Sequence, residues 1–98
     1  MFFFSFGNGA SGIVAQQIRA ARALLGISAE ELARRASVGV ATVRRAELAQ
    51  DKPSITDANL IAIKRALEDA GVDFIDGDSA AGPGVRLKEP SPPQMPER

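Results

Sequence analysis

Residues 28–47 read SAEELARRASVGVATVRRAE, and this stretch decides the fold. Ser28 is a favourable helix N-cap, and Glu31 follows it at the spacing of a capping box, so a helix is predicted over residues 29–36. The tripeptide SVG then interrupts the helical pattern, and a second helix is predicted over residues 40–48. A break this short joins two helices at a steep angle.

Two longer helices are predicted on either side of this pair. Apolar residues recur at helical spacing from residue 11 or 12 to Leu25, and Gly26 is a natural C-terminal stop. Thr56 is placed to cap the longest helix, predicted over Asp57–Ala70 and ended by a glycine. The sequence therefore predicts an all-α, compact four-helix domain over residues 13–71.

The segments outside this domain differ in composition. Residues 72–88 contain two short β-type runs around a Gly/Asp/Ser/Ala loop, which predicts a short β-hairpin extension. Residues 89–98 contain four prolines and are expected to form a disordered tail. Residues 1–12 include four phenylalanines, too few for a membrane span, and form either a flexible arm or a non-native extension from a misassigned start. The second interpretation is favoured because the helical pattern begins only near Ile13.

The composition argues against most enzyme chemistry. The 98 residues contain no Cys and no His, which excludes disulfides, thiolate or imidazole metal sites, and Cys/His or Ser/His/Asp catalysis. The acidic residues lie on solvated helix faces or scatter through the loop after Asp73, without a convergent pair. We therefore expect no catalytic residues, no metal and no cofactor.

The formal net charge of zero hides an uneven distribution. Between Val14 and Ala49 there are six arginines and three glutamates, a net charge of +3. From Gln50 onward there are six basic and nine acidic residues, a net charge of −3. The basic half coincides with the predicted helix pair, and phosphate binding needs such local positive charge.

The combined spacing resembles the Xre/Cro/phage-repressor family of helix-turn-helix proteins over residues 15–70. The words that carry the resemblance are RALLGIS at 22–28, EELARRA at 30–36, and TVxxxE at 42–47, where x is any residue. Farther on, NLIAIKRALEDAG at 59–71 is similar to small regulators that end in a short extension. The resemblance implies a sequence-specific transcriptional regulator, most often a repressor, in the bacterial cytoplasm. Its implied partners are double-stranded DNA and a second copy of the chain, with no membrane.

The resemblance also implies that the second helix of the pair lies in the major groove. The DNA-binding positions it implies are Ser28, Ala29, Val40, Ala41, Thr42, Arg44, Arg45, Gln50 and Lys52. Arg44 or Arg45 can make a bidentate contact to guanine worth about 1–3 kcal/mol of discrimination, whereas Val40 and Ala41 offer only apolar contact. The alternative is that both arginines are simply solvated side chains on an exposed helix face. Ser28, Gln50 and Lys52 are expected at phosphates.

Two further groups have structural roles under this resemblance. Arg22 and Glu47 are expected to form a buried or half-buried salt bridge between the first and third helices. The apolar residues of the β segments are candidates for dimerisation, with packing against the fourth helix as an equal alternative: Phe74, Ile75, Val85 and Leu87.

The sequence departs from the family pattern at Ala29, in the turn, and at Ala46 and Ala49, which replace a usually larger apolar residue and a usual Gly. Ala29 stands where Gln is common, and the turn reads SVG in place of GVS, so the second helix of the pair lacks a capping hydroxyl.

Two other functions stay open. An antitoxin would use the same domain for autoregulation and its acidic, Pro-rich C-terminal half to bind a toxin. A helix-turn-helix used only for protein interaction is favoured by the zero net charge and by apolar Val40 and Ala41.

Overall fold

A computed structural model of the protein describes residues 12–90. Its elements are α1 (Ala15–Leu25), α2 (Ala29–Ala36), α3 (Val40–Leu48), α4 (Asp57–Ala70), β1 (Val72–Ile75) and β2 (Gly84–Leu87). The predicted four-helix architecture with a short β-hairpin is confirmed. The interpretations of residues 1–11 and 91–98 lie outside the described residues. Within residues 12–90, no helix is long and apolar enough to cross a membrane.

The first helix begins later than predicted. Val14 is extended, with φ −110° and ψ 164°, and the helix starts at Ala15. The cause is Gln17, whose Oε1 accepts the Val14 N–H at 2.9 Å and so caps the helix from inside its first turn. Gly26 ends the helix as predicted, in the left-handed conformation at φ 69°.

The predicted capping box of α2 is only half formed. Ser28 Oγ accepts the Glu31 N–H at 3.0 Å, as expected of an N-cap. The Glu31 carboxylate, however, binds Arg34 and Arg35 on the next turn rather than the backbone of Ser28. Two charge-assisted hydrogen bonds outcompete one bond to a backbone amide, so the capping depends on Ser28 alone.

The turn between α2 and α3 places its two small residues in unexpected roles. Ser37 is left-handed at φ 58°, a conformation that favours glycine, and its N–H donates to the carbonyls of Ala33 and Arg34. Gly39 is extended at φ −72° and ψ 150°, where any residue fits, and it caps α3 without a side-chain hydrogen bond. The turn therefore has its glycine at position 39, which does not require one, and a serine at position 37, where glycine is favoured.

All four helices contribute to one hydrophobic core. The largest buried side chains are Ile18, Leu32, Val43, Leu60, Ile63, Leu67 and Val72. The last of these belongs to β1, so the core extends past the predicted domain boundary at residue 71. The hairpin is consequently part of the same packed unit and not a separate appendage.

The hairpin pairs antiparallel and uses most of its apolar side chains internally. Val72 lies opposite Leu87, and Phe74 lies opposite Val85. Phe74, Val85 and Leu87 pack half-buried against the core, whereas Ile75 is 40% exposed. Three of the four dimerisation candidates are therefore partly covered by the chain itself, and the part of all four in dimerisation stays a prediction.

Gln17 fastens the hairpin to α1. Its Nε2 donates to the carbonyl oxygens of Ile75 at 3.1 Å and Gly84 at 2.9 Å, while the residue is only 4% exposed. A buried amide with both of its polar groups bonded specifies one docking geometry. The hairpin is therefore held by a polar clamp as well as by apolar packing.

Candidate nucleic-acid interface

The third helix divides into a buried face and an exposed face. Val43, Ala46 and Glu47 are buried against the other helices. Ala41, Arg44, Arg45 and Leu48 point to solvent, and Leu48 is 82% exposed. Val40 and Thr42 are half-buried, and Val40 packs partly on the core. The surface available to a partner is thus centred on the two arginines.

The expected ion pair between α1 and α3 is present. Arg22 Nε lies 2.8 Å from Glu47 Oε2, and Arg22 Nη2 lies 3.0 Å from Glu47 Oε1, a bidentate arrangement. The two side chains are 27% and 10% exposed. The hydrogen bond to Glu47 raises the pKa of Arg22 above its ordinary value, even though burial opposes the charge. Arg22 Nη1 also donates to the Ile27 carbonyl at 3.1 Å. The pair fixes α3 on α1.

Other α1 residues hold the C-terminal end of α3 and the loop beyond it. Arg19 donates to the carbonyl oxygen of Glu47, and the Gln16 amide donates to that of Gln50. The Ala15 N–H donates to the Asp51 carbonyl at 2.8 Å. A cation at a helix C-terminus is favourable because it meets the negative end of the helix dipole.

These contacts position the loop that carries the two residues predicted to contact DNA phosphates. Gln50 and Lys52 are both exposed, and Pro53 anchors the loop by its burial. Sequence reasoning missed Gln16 and Arg19, because their partners are backbone carbonyls about thirty residues away along the chain. No local pattern signals such contacts.

The two arginines of α3 differ in their surroundings. Arg44 Nη2 lies 2.5 Å from Glu30 Oε2 on α2, and both side chains are more than half exposed. Arg45 is exposed, and no carboxylate within residues 12–90 lies at ion-pair distance from it. From the sequence, the two arginines were equivalent and Glu30 was expected to face solvent. A contact between residues fourteen positions apart leaves no periodic pattern in the sequence that could predict it.

The start of α2 offers backbone groups more than side chains. Ala29 is 5% exposed, so its methyl group is buried and only its backbone amide can approach a phosphate. Ser28 Oγ already accepts the Glu31 N–H. The first amides of a helix lack intrahelical partners and carry partial positive charge. The phosphate contacts expected at this end therefore come from backbone N–H groups and from the Ser28 hydroxyl, whose O–H can still donate.

The outer face of α2 is occupied by its own ion pairs. Glu31 receives hydrogen bonds from Arg34 and Arg35, and these bonds lower the pKa of its carboxyl group below the ordinary value. Both arginines are exposed, as expected for a solvated helix face. This cluster is a local stabilising network, separate from the face of α3.

Two helices joined by a three-residue turn, the second of them presenting arginines to solvent, define a helix-turn-helix protein. A family model described as helix-turn-helix matches residues 18–66, half of the 98-residue chain. The chain belongs to this family and is of the Xre/Cro type, which makes it a DNA-binding regulator of transcription. Comparison with curated proteins and with solved structures gave no significant match.

Proposed function

We propose that this chain is a sequence-specific repressor that inserts α3 into the major groove of double-stranded DNA in the bacterial cytoplasm. The observation that carries the proposal is the division of α3 into a face bound to the scaffold and a face carrying Arg44 and Arg45. A helix fits the major groove, and arginine is the side chain that most often reads guanine there.

Each side chain has a distinct part under this proposal. The arginines meet base edges or phosphates, and Ala41 offers apolar contact to a thymine methyl group. Val40 and Thr42 are half-buried and so contribute at the edge of the interface. Gln50 and Lys52, together with the first amides of α2, meet phosphates on either side of α3.

The regulator acts as a homodimer in this proposal. One reading helix contacts too few base pairs to define a unique site, and paired half-sites solve that problem. The hairpin side supplies exposed apolar surface for a second copy, because Leu24 is 46% exposed and Ile75 is 40% exposed. Loss of dimers in sedimentation of Ile75→Lys would support this interface, and unchanged dimers would remove Ile75 from it.

The function is tested by DNA binding over a range of salt concentrations. We expect Arg45→Ala to weaken binding to random duplex DNA about tenfold and to reduce the slope of log K against log salt by about 1. Arg65→Ala is the matched control, since Arg65 is an exposed arginine on α4 outside the proposed interface.

Two outcomes would contradict the proposal. A wild-type chain without any salt-dependent DNA binding would not be a repressor of this kind. Equal weakening by Arg65→Ala and Arg45→Ala would place the binding surface elsewhere on the molecule.

A second candidate is a helix-turn-helix that binds a protein on the same face. It is favoured by Leu48, an 82% exposed leucine at the end of α3, and by the pairing of Arg44 with Glu30. An antitoxin would combine this with DNA binding by also holding a toxin. Co-purification of a stoichiometric partner that Leu48→Gln releases would support this candidate over DNA binding alone.

A further inference from the structure

A carboxylate from α2 contacts the exposed face of α3. Glu30 lies in the first turn of α2 and Arg44 in the middle of α3, with Glu30 Oε2 2.5 Å from Arg44 Nη2. Their side chains are 65% and 56% exposed, so a partner can reach both. The contact joins the two helices of the helix-turn-helix motif through their side chains.

This carboxylate opposes indiscriminate phosphate binding by Arg44. Binding to the DNA backbone depends on uncompensated positive charge, and an arginine paired with a glutamate offers almost none. Arg45 stands beside it with no acidic partner at ion-pair distance within residues 12–90. The neighbouring arginines therefore offer DNA different charges, and Arg45 is the one suited to phosphate.

The ion pair leaves Arg44 with donors that suit a base. A guanidinium carries five N–H donors in a planar fork, and Glu30 engages Nη2. A bidentate contact to guanine O6 and N7 uses two of the donors that remain. The carboxylate also restricts a long, flexible side chain, which reduces the entropy lost when that side chain is ordered on binding.

We propose that Glu30 is a positioning residue for specificity, which holds Arg44 toward one guanine of the DNA site and keeps it from the phosphates. This inference rests on the proposed insertion of α3 into the major groove. Glu30 acts through Arg44 and contacts no base in this arrangement.

The test uses the full chain and a duplex selected from a random DNA pool. Kd is measured for that duplex, for each single-base replacement and for random DNA, at several salt concentrations. Glu30→Gln removes the charge but keeps an oxygen that accepts an N–H of Arg44, whereas Glu30→Ala removes both. Glu89→Gln is the control, because it removes one exposed negative charge beside Leu87 on the hairpin.

The expected results distinguish the effect of the negative charge of Glu30 from its effect on the position of Arg44. Both Glu30 variants bind random DNA more tightly, by about threefold, because a negative charge has left the interface. The preference for the one guanine read by Arg44 falls about tenfold in Glu30→Ala and changes less than about twofold in Glu30→Gln. Arg44→Ala loses the same preference, and adding Glu30→Ala to it causes no further loss. Glu89→Gln leaves the base profile unchanged.

A Glu30→Ala profile that keeps the guanine preference of the wild type would overturn the positioning role and leave the proposed function standing. A uniform loss of preference at every base pair in Glu30→Ala would also overturn it, since Glu30 would then not act through Arg44 on one guanine. No salt-dependent DNA binding by the wild-type chain would overturn both.

Discussion

The side-chain nitrogen of Gln17 lies 2.9 Å from the carbonyl oxygen of Gly84, so the first helix is bonded directly to the last strand. The same nitrogen donates to Ile75, and the oxygen of the amide accepts from Val14. Because the residue is almost fully buried, water cannot replace these bonds. The hairpin and the helices are therefore expected to unfold as one cooperative unit.

Gln17→Ala is expected to lower the free energy of unfolding by about 2–4 kcal/mol, because it leaves three part-buried backbone groups without their partners. Urea denaturation followed by circular dichroism measures this loss. The control is Gln16→Ala, an exposed neighbour of the same type, with an expected loss below about 1 kcal/mol. Equal losses in the two variants would show that the amide clamp contributes nothing beyond helix propensity.

Glu47→Gln is expected to destabilise the fold by about 2–3 kcal/mol, since it strands the Arg22 guanidinium in a half-buried position. The loss is smaller than for a fully buried pair because Arg22 retains some contact with water. Glu68→Gln, which removes a longer contact of 3.8 Å with Lys64 one turn away on α4, should cost less than about 0.5 kcal/mol. An unchanged melting temperature for Glu47→Gln would contradict a structural role for the pair.

Exchanging the small residues of the turn is expected to stabilise the protein. Ser37→Gly relieves a left-handed conformation, and Gly39→Ser supplies the missing capping hydroxyl to α3 with room for its Cβ. The double variant should gain about 1 kcal/mol in thermal or urea unfolding. Gly26→Ala is the opposite control and should lose stability, because Gly26 also has a positive φ. A double variant less stable than the wild type would contradict this account of the turn.

The stability contributed by Glu31 is expected to depend on pH. Hydrogen bonds from Arg34, then Arg35, lower the pKa of Glu31, so its folded-state pKa lies below its unfolded-state value. The contribution is therefore present above the unfolded-state pKa and is lost as the pH falls through the folded-state pKa.

The wild type should be more stable than Glu31→Gln near pH 7, and the difference should diminish as the pH falls through the lowered pKa of Glu31. High salt should reduce it at neutral pH, because the ion pairs are exposed. A difference that persists unchanged in acid would show that the ion pairs do not stabilise α2.

The parts of the fold that the sequence predicted are those decided by neighbours along the chain. Ser28 and Thr56 cap their helices through the N–H three positions later, at 3.0 and 3.1 Å, so the bounds of α2 and α4 follow from local chemistry. The start of α1 was wrong, since Val14 at the N-cap has no capping side chain and the cap comes only from Gln17 at the third helical position.

The remaining errors concern contacts that depend on how the elements pack. Gln17 donates hydrogen bonds to carbonyls 58 and 67 positions away, and Glu30 on α2 pairs with Arg44 on α3. Periodicity indicates which face of a helix is buried, but it does not indicate which polar groups meet after packing. For the same reason the arginines of α3 could be placed from the sequence but not distinguished.

The eleven residues of α1 are bonded to the hairpin through Gln17 and to the reading helix through Arg22. Neither Gln17 nor Arg22 has a part in the proposed DNA or dimer contacts, yet both surfaces are aligned by their bonds. A protein bound to the hairpin and a duplex bound to α3 would be coupled through this helix, together with the core that Val72 of the hairpin shares with the other helices. A change that loosens α1 is therefore expected to weaken any linkage between partner binding and operator binding.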